Sequence, residues 1–162
     1  MNKTLFWRGY LLGIVLALGL GTGTLYYLFL YTPDVGLAGM NLVELDGRPV
    51  DARQFAGRRV LVNYWATWCG PCIEEFPVFE TVKQEAGQGV VFLMVSDEPA
   101  AKIQGFLRKH PQLSFRFLRV REPLPGVNVR PMNYGYDQSG ALVVKRSGSI
   151  SAADLRQLVA SL

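Results

Sequence analysis

Cys69 and Cys72 are the only cysteines in 162 residues, set two apart in NYWATWCGPCIEEFP (residues 63–77), behind Trp68 and around Gly70-Pro71. A Cys-x-x-Cys pair has two common chemistries, metal ligation and dithiol–disulfide exchange. A zinc site needs at least a third protein ligand, and the single histidine, His110, follows Cys72 by 38 residues next to Pro111. That position suits a helix-end or solvated side chain. The expectation is therefore no metal and no cofactor, with a copper or zinc chaperone as the rival reading.

Exchange accounts for the residues between the cysteines. The apolar stretch Val60-Leu61-Val62, then Tyr64 and Trp65, reads as a strand buried on both faces, and a helix should run from about Pro71 to Ala86. Cys69 then falls at the strand-to-helix junction, where unpaired amide hydrogens and the helix dipole stabilise a thiolate. Pro71 fits the first helical turn, and Gly70 permits close approach. Cys69 is the expected nucleophile and Cys72 the resolving thiol.

Glu75 lies three residues beyond Cys72, on the same face of that helix. Two readings stand at this point: a partly desolvated carboxylate that exchanges a proton with Cys72, or a charge that complements the helix dipole. The second reading is preferred for Glu74. Trp68 is placed either over the disulfide or, as tryptophans commonly are, as a core or interface anchor, and Trp65 in the core. Pro77 would kink the helix.

The elements that must position this pair follow from periodicity. Asn41–Leu45 and Val50 flank an Asp46-Gly47 turn signal and suggest a small hairpin. Phe76, Phe79, Val82 and Ala86 form an inward helical stripe that Gly87 and Gly89 stop. Val90–Val95 is a second buried strand. Ala101–Lys109 is a second helix, with Ile103, Phe106 and Leu107 inward, and a further strand lies around Phe115–Val120. Tyr134–Tyr136 and Leu142–Lys145 form a hairpin about Asp137–Gly140, and Ser151 caps a last helix. This order predicts an α/β fold, a mixed central sheet with helices on both faces.

Tyr10 to Tyr31 contains no charged residue over 22 positions, enough at about 1.5 Å per residue to cross a hydrocarbon core of roughly 30 Å. The predicted organisation is a cytoplasmic N-terminus (1–9), a transmembrane signal-anchor (10–31), a linker (32–39) and one domain (40–162). Lys3 and Arg8 precede the span while Asp34, Glu44 and Asp46 follow it, so the domain faces outward, where thiols can oxidise. A cleaved signal is the alternative, but apolar residues continue past Gly21–Thr24 and no A-x-A site is evident. Without Lys3 and Arg8 the basic and acidic residues nearly balance, 15 against 13. Arg116, Arg119 and Arg121 alternate with Phe115, Phe117, Leu118 and Val120, as on the wet side of a strand, so no nucleic acid is expected.

The stretch VLVNYWATWCGPCIEEFP resembles the membrane-anchored TlpA/ResA-like thiol-disulfide oxidoreductases of the thioredoxin superfamily. The similarity continues through VVFLMVS and RPMNYGYDQSGALV, over Met40–Leu162. The resemblance implies a thioredoxin-like fold, disulfide- or thiol-bearing protein substrates, a membrane electron donor, and tasks such as cytochrome c maturation at a bacterial cytoplasmic membrane. It also implies that Pro131 is the cis-proline facing the cysteines, where backbone groups can pair with an extended substrate, and that Glu75 is the active-site glutamate. Two positions depart from the pattern. Asn63 stands where thioredoxins carry a buried aspartate, and Arg130 precedes Pro131 where a small or β-branched residue is usual. Arg130 is therefore expected to stabilise the Cys69 thiolate, to select acidic partners, or simply to point to solvent. No proline-threonine-cysteine peroxidatic motif is present.

Overall fold

The computed structural model describes residues 3–29 and 33–162 and divides into two units, Met1–Pro33 and Asp34–Leu162. In the first, helix α1 (Lys3–Phe29) is apolar and long enough to cross a membrane over Trp7–Tyr27. Thr22 and Thr24 turn their hydroxyls back onto the carbonyls of Leu18 and Leu20, so neither leaves a bare polar group on the helix surface. The expected end of the span, Tyr31, lies outside the described residues, as does Thr32.

The second unit holds strands β1 (Leu42–Val43), β2 (Arg59–Tyr64), β3 (Val90–Ser96), β4 (Arg116–Val120), β5 (Met132–Tyr136) and β6 (Leu142–Ser147). Its helices are α2 (Gly70–Ala86), α3 (Ala100–Lys109) and α4 (Ala152–Ala160). The sheet order is β1-β4-β3-β2-β5-β6. β2, β3 and β4 are parallel, and β1, β5 and β6 join antiparallel.

Two crossovers, β2-α2-β3 and β3-α3-β4, step across the sheet in the same direction. Because such crossovers are right-handed, both helices land on one face. There Phe76, Phe79 and Val82 of α2, Ile103 and Phe106 of α3, and Leu155, Leu158 and Val159 of α4 bury against Leu61, Trp65 and Met94. The other face carries Val60, Val62, Tyr64, Leu93, Val95, Tyr134 and Tyr136. Both faces are covered by helical elements, but unequally: the α-helices gather on one, and two short 3-10 turns, Leu37–Met40 and Ala52–Phe55, serve the other.

The stretch expected as a linker, 32–39, is instead part of the domain from Asp34 onward. Val35 and Leu37 are buried, and the Tyr136 hydroxyl donates to the Val35 carbonyl at 2.6 Å. Val35 and Leu37, on either side of Gly36, have a core to enter, which composition did not reveal. The Asp46-Gly47 turn forms as expected, with Gly47 at φ +90°, a conformation open to glycine at little cost. However, the strand it serves is only two residues long. The Arg116 side chain reaches Glu44 and Gln54, and that of Arg119 reaches inward to a backbone carbonyl, so of the three arginines only Arg121 is fully exposed.

Candidate active site

Cys69 and Cys72 are joined by a disulfide, S–S 2.00 Å and Cα–Cα 5.3 Å. Cys69 is the N-cap residue of α2, with extended backbone (φ −85°, ψ 94°), and Pro71 occupies the first turn. The Cys72 N–H donates to the Cys69 Sγ at 3.3 Å. A first-turn amide with no partner inside the helix is thus aimed at the Cys69 sulfur, where with the helix dipole it favours negative charge. The loop that delivers Cys69 continues β2. Trp65 N–H bonds the Val95 carbonyl at 2.9 Å, and Cys69 N–H closes a turn on Ala66 at 3.1 Å.

Both sulfur residues are nearly buried, at 3% and 1% exposure, whereas Trp68 beside them is 66% exposed. Trp65 is fully buried against Phe76, Phe106 and Phe117, with ring centroids 5.0–5.6 Å away. Trp65 is core as expected, and Trp68 is a large apolar surface next to the reactive pair. Helix α2 runs through Pro77 to Ala86 without interruption.

Glu75 is buried and Glu74 is exposed. Glu75 Oε1 accepts the Ile150 N–H at 2.6 Å, and Oε2 has no partner. Burial pushes its carboxyl above the ordinary 4.5, opposed by the hydrogen bond from Ile150 and by the charge of Arg146. A carboxyl three residues beyond Cys72, desolvated and with one oxygen free, has the properties of a proton carrier.

The Arg130-Pro131 peptide bond is cis. Met132 pairs with Tyr64, so Pro131 stands at the end of β2 from which the cysteine loop departs. Among the described residues, Val129 and Arg130 make no backbone–backbone hydrogen bond, while the Pro131 carbonyl accepts from Gly148.

Arg130 does not point to solvent. Its side chain is 9% exposed, Nη2 donates to Asp97 Oδ2 at 2.6 Å and to the Tyr64 hydroxyl at 3.1 Å, and the guanidinium lies 4.5 Å from the Tyr64 ring and 5.5 Å from the Trp68 ring. The pairing with Asp97 uses the charge that was expected to serve the Cys69 thiolate or an acidic partner. Burial raises the Tyr64 pKa, with Arg130 opposing. His110 stacks on Phe106, centroids 4.1 Å apart, and among the described residues no three His, Cys, Asp or Glu side chains converge on a possible metal position.

Four residues of this neighbourhood escaped the sequence reading. Asp97 and Glu98 follow β3 directly, and the carboxyl ends of parallel strands are where α/β sheets place ligands, a signal that could have found them. Ile150 contributes a backbone amide, which no residue type advertises. Asn133 is the register partner of Asn63, and the Asn63 Nδ2 donates to its Oδ1 at 2.9 Å in a fully enclosed pair. An asparagine at position 63 thus has a neutral partner of its own kind.

A family model described as Redoxin matches residues 31–122. The chain belongs to the redoxin family. Thiol-disulfide oxidoreductase ResA of Halalkalibacterium halodurans is 30% identical over 157 residues, 90% of this chain and 88% of that protein. Thioredoxin-like protein YneN of Bacillus subtilis is 26% identical over 166 residues, 93% and 96% of the two chains. A thiol:disulfide interchange protein of the thioredoxin family from Chlorobium tepidum superposes with a TM-score of 0.63 at 25% identity, covering 80% of this chain and 94% of that one. This redoxin is a TlpA/ResA-like thiol-disulfide oxidoreductase of the thioredoxin superfamily, with the Cys69–Cys72 pair at disulfide distance.

Proposed function

We propose that this redoxin is held in a bacterial cytoplasmic membrane by α1, with its N-terminus inside, and that its outward-facing domain reduces disulfides of partner proteins. The observation that carries the reading is Cys69 at the N-cap of α2, bonded to Cys72 and receiving the Cys72 amide hydrogen on its sulfur. In the dithiol form the Cys69 thiolate attacks one sulfur of the partner disulfide, forming a mixed disulfide and releasing the other sulfur as thiolate. Cys72, losing its proton, attacks the Cys69 sulfur. The partner leaves as a dithiol carrying two electrons, and Cys69–Cys72 is oxidised. Glu75 accepts the Cys72 proton in this step.

Trp68 and the main chain before Pro131 receive the partner segment. The two unpaired residues ahead of a cis-proline offer the backbone groups that an extended strand pairs with. A membrane dithiol donor then restores the pair. Among such partners, the apocytochromes of cytochrome c maturation fit the ResA-like resemblance.

Equilibrating the full chain in detergent with glutathione buffers tests the direction. A potential in the reducing range supports the proposal, and a strongly oxidising one rejects the reductase assignment. A membrane-impermeant thiol reagent applied to intact cells after mild reduction should label Cys69, and labelling only after lysis would overturn the outward placement. The metal-chaperone alternative predicts stoichiometric copper or zinc binding with little exchange. It would need a third ligand beside the two cysteines, and among the described residues no three His, Cys, Asp or Glu side chains converge.

A further inference from the structure

The loop bearing Trp68 and Cys69 and the loop bearing Arg130 and Pro131 are both held by consecutive carboxylates, Asp97 and Glu98. These two residues follow β3, whose last turns of chain are among the most enclosed in the domain: Leu93, Met94, Val95 and Ser96 are fully buried. Glu98 is itself buried and is fixed at every polar group. Its N–H donates to Ser96 Oγ at 3.2 Å, its carbonyl accepts from Arg119 Nε at 2.7 Å, and Lys102 Nζ lies 3.7 Å from Oε1. Anchored in this way, its carboxylate accepts both the Thr67 N–H, at Oε2, and the Thr67 hydroxyl, at Oε1 and 3.0 Å. Thr67 is two residues before Cys69.

Asp97 holds the opposite wall. Its Oδ2 receives Arg130 Nη2, and the same guanidinium lies against the rings of Tyr64 and Trp68. The arginine that departs from the family pattern thus bridges the two loops, tied by charge to the strand end and by ring contact to the exposed indole. Its Nε is left buried without a partner. An arginine kept at that desolvation cost is poorly explained as a source of stability alone.

We propose that Asp97 and Glu98 form a brace that sets the gap between the two loops and, through Arg130, the orientation of Trp68, so that this enzyme favours disulfides carried on an extended polypeptide over small-molecule disulfides. The inference rests on the reading above that Cys69 attacks a partner disulfide. Asp97, Glu98 and Arg130 are positioning residues: Glu98 acts through Thr67 and Asp97 through Arg130. The chemical step stays with the sulfurs. A displaced loop or indole loses near-attack geometry for a ligand that must touch both walls, and loses less for one that needs the sulfur alone.

The test uses the full chain in detergent micelles, reduced beforehand, with two probes: a cyclic disulfide peptide of Cys-x-x-Cys-His sequence and Ellman's reagent. The readout is the ratio of the second-order rate constants, peptide over Ellman's reagent. Asp97→Asn and Arg130→Met should each lower the ratio about tenfold, and the double variant should be no worse than either single one, as for residues that act as a unit. Glu98→Ala should lower it similarly. Glu98→Gln should restore most of it, because an amide can accept from the Thr67 N–H and donate to the Thr67 hydroxyl. Acrylamide quenching of Trp68 fluorescence should rise in Asp97→Asn and Arg130→Met.

A wild-type ratio in Asp97→Asn and Arg130→Met, whatever the absolute rates do, overturns the brace. So does a Glu98→Gln variant as impaired as Glu98→Ala, since positioning by hydrogen bonds would then not be the cause. A wild-type chain inert to both probes instead sinks the oxidoreductase reading and the brace with it.

Discussion

Glu75 and Ile150 meet across 75 positions of sequence, the carboxylate oxygen of one accepting the amide hydrogen of the other at 2.6 Å. This bond ties the helix that presents the cysteines to the chain just ahead of α4. It also consumes one oxygen of a buried acid while the other stays unpartnered.

A buried carboxyl whose pKa is raised favours the folded state while protonated. Its contribution is therefore full below the ordinary 4.5 and is lost as pH climbs through the elevated native value. Glu75→Gln removes this dependence and keeps an acceptor for the Ile150 N–H. Thermal melts of the oxidised chain from pH 4 to 8 should show the variant gaining on the wild type as pH rises. In exchange assays the same variant should slow resolution near neutral pH, and an unchanged pH–rate profile would remove Glu75 from proton transfer.

The division of labour between the sulfurs predicts unequal variants. Cys72→Ser should accumulate mixed disulfides through Cys69, visible as non-reducing gel shifts reversed by dithiothreitol. Cys69→Ser should form none. Equal multi-turnover activity in the two would contradict the assigned roles. Affinity capture of the Cys72→Ser adducts from membranes would also name the partner.

Asn63 is 2% exposed and donates to Asn133 from within the sheet. Asn63→Asp places an acid there whose neutral form can keep that hydrogen bond and whose ionised form cannot. Desolvation should raise its pKa above the usual value near 3.9, so stability falls as pH rises, by about 2–4 kcal/mol at neutral pH. Urea titrations at pH 4 and pH 7 measure this, and a variant equally stable at both would refute it.

A Cβ at Gly135 would stand 2.3 Å from the Leu162 Cδ2 and 3.3 Å from the Val144 Cβ. Leu162 can swing its side chain aside more easily than Val144 can move, so Gly135→Ala should cost about 1–2 kcal/mol. Combining it with Leu162→Ala should recover part of that loss, giving a non-additive pair in a thermal-melt double-mutant cycle.

The cysteine pair was legible because its chemistry is local. Four successive residues between a buried strand and a helical stripe specify the N-cap, the first turn and the disulfide partner together. Arg130 was not legible. As a residue type it fits solvent, anion binding or a salt bridge, and only Asp97, 33 positions away and brought near because β3 and β5 both flank β2, selects among them. The domain's beginning was misread for a related reason. Val35 and Leu37 have no periodicity to betray them, and their burial depends on a sheet face built from residues far along the chain.

From sequence alone came the apolar N-terminal helix, the alternation of strands and helices, and the cysteine pair that the disulfide joins. Each is set by neighbours within a turn or two of chain, where backbone geometry and side-chain type suffice. Tertiary structure decided how Glu75 is desolvated, what Arg130 pairs with, and how Asp97 and Glu98 reach the two loops of the site. These depend on which distant groups the sheet order brings within hydrogen-bonding distance, and on water being excluded between them.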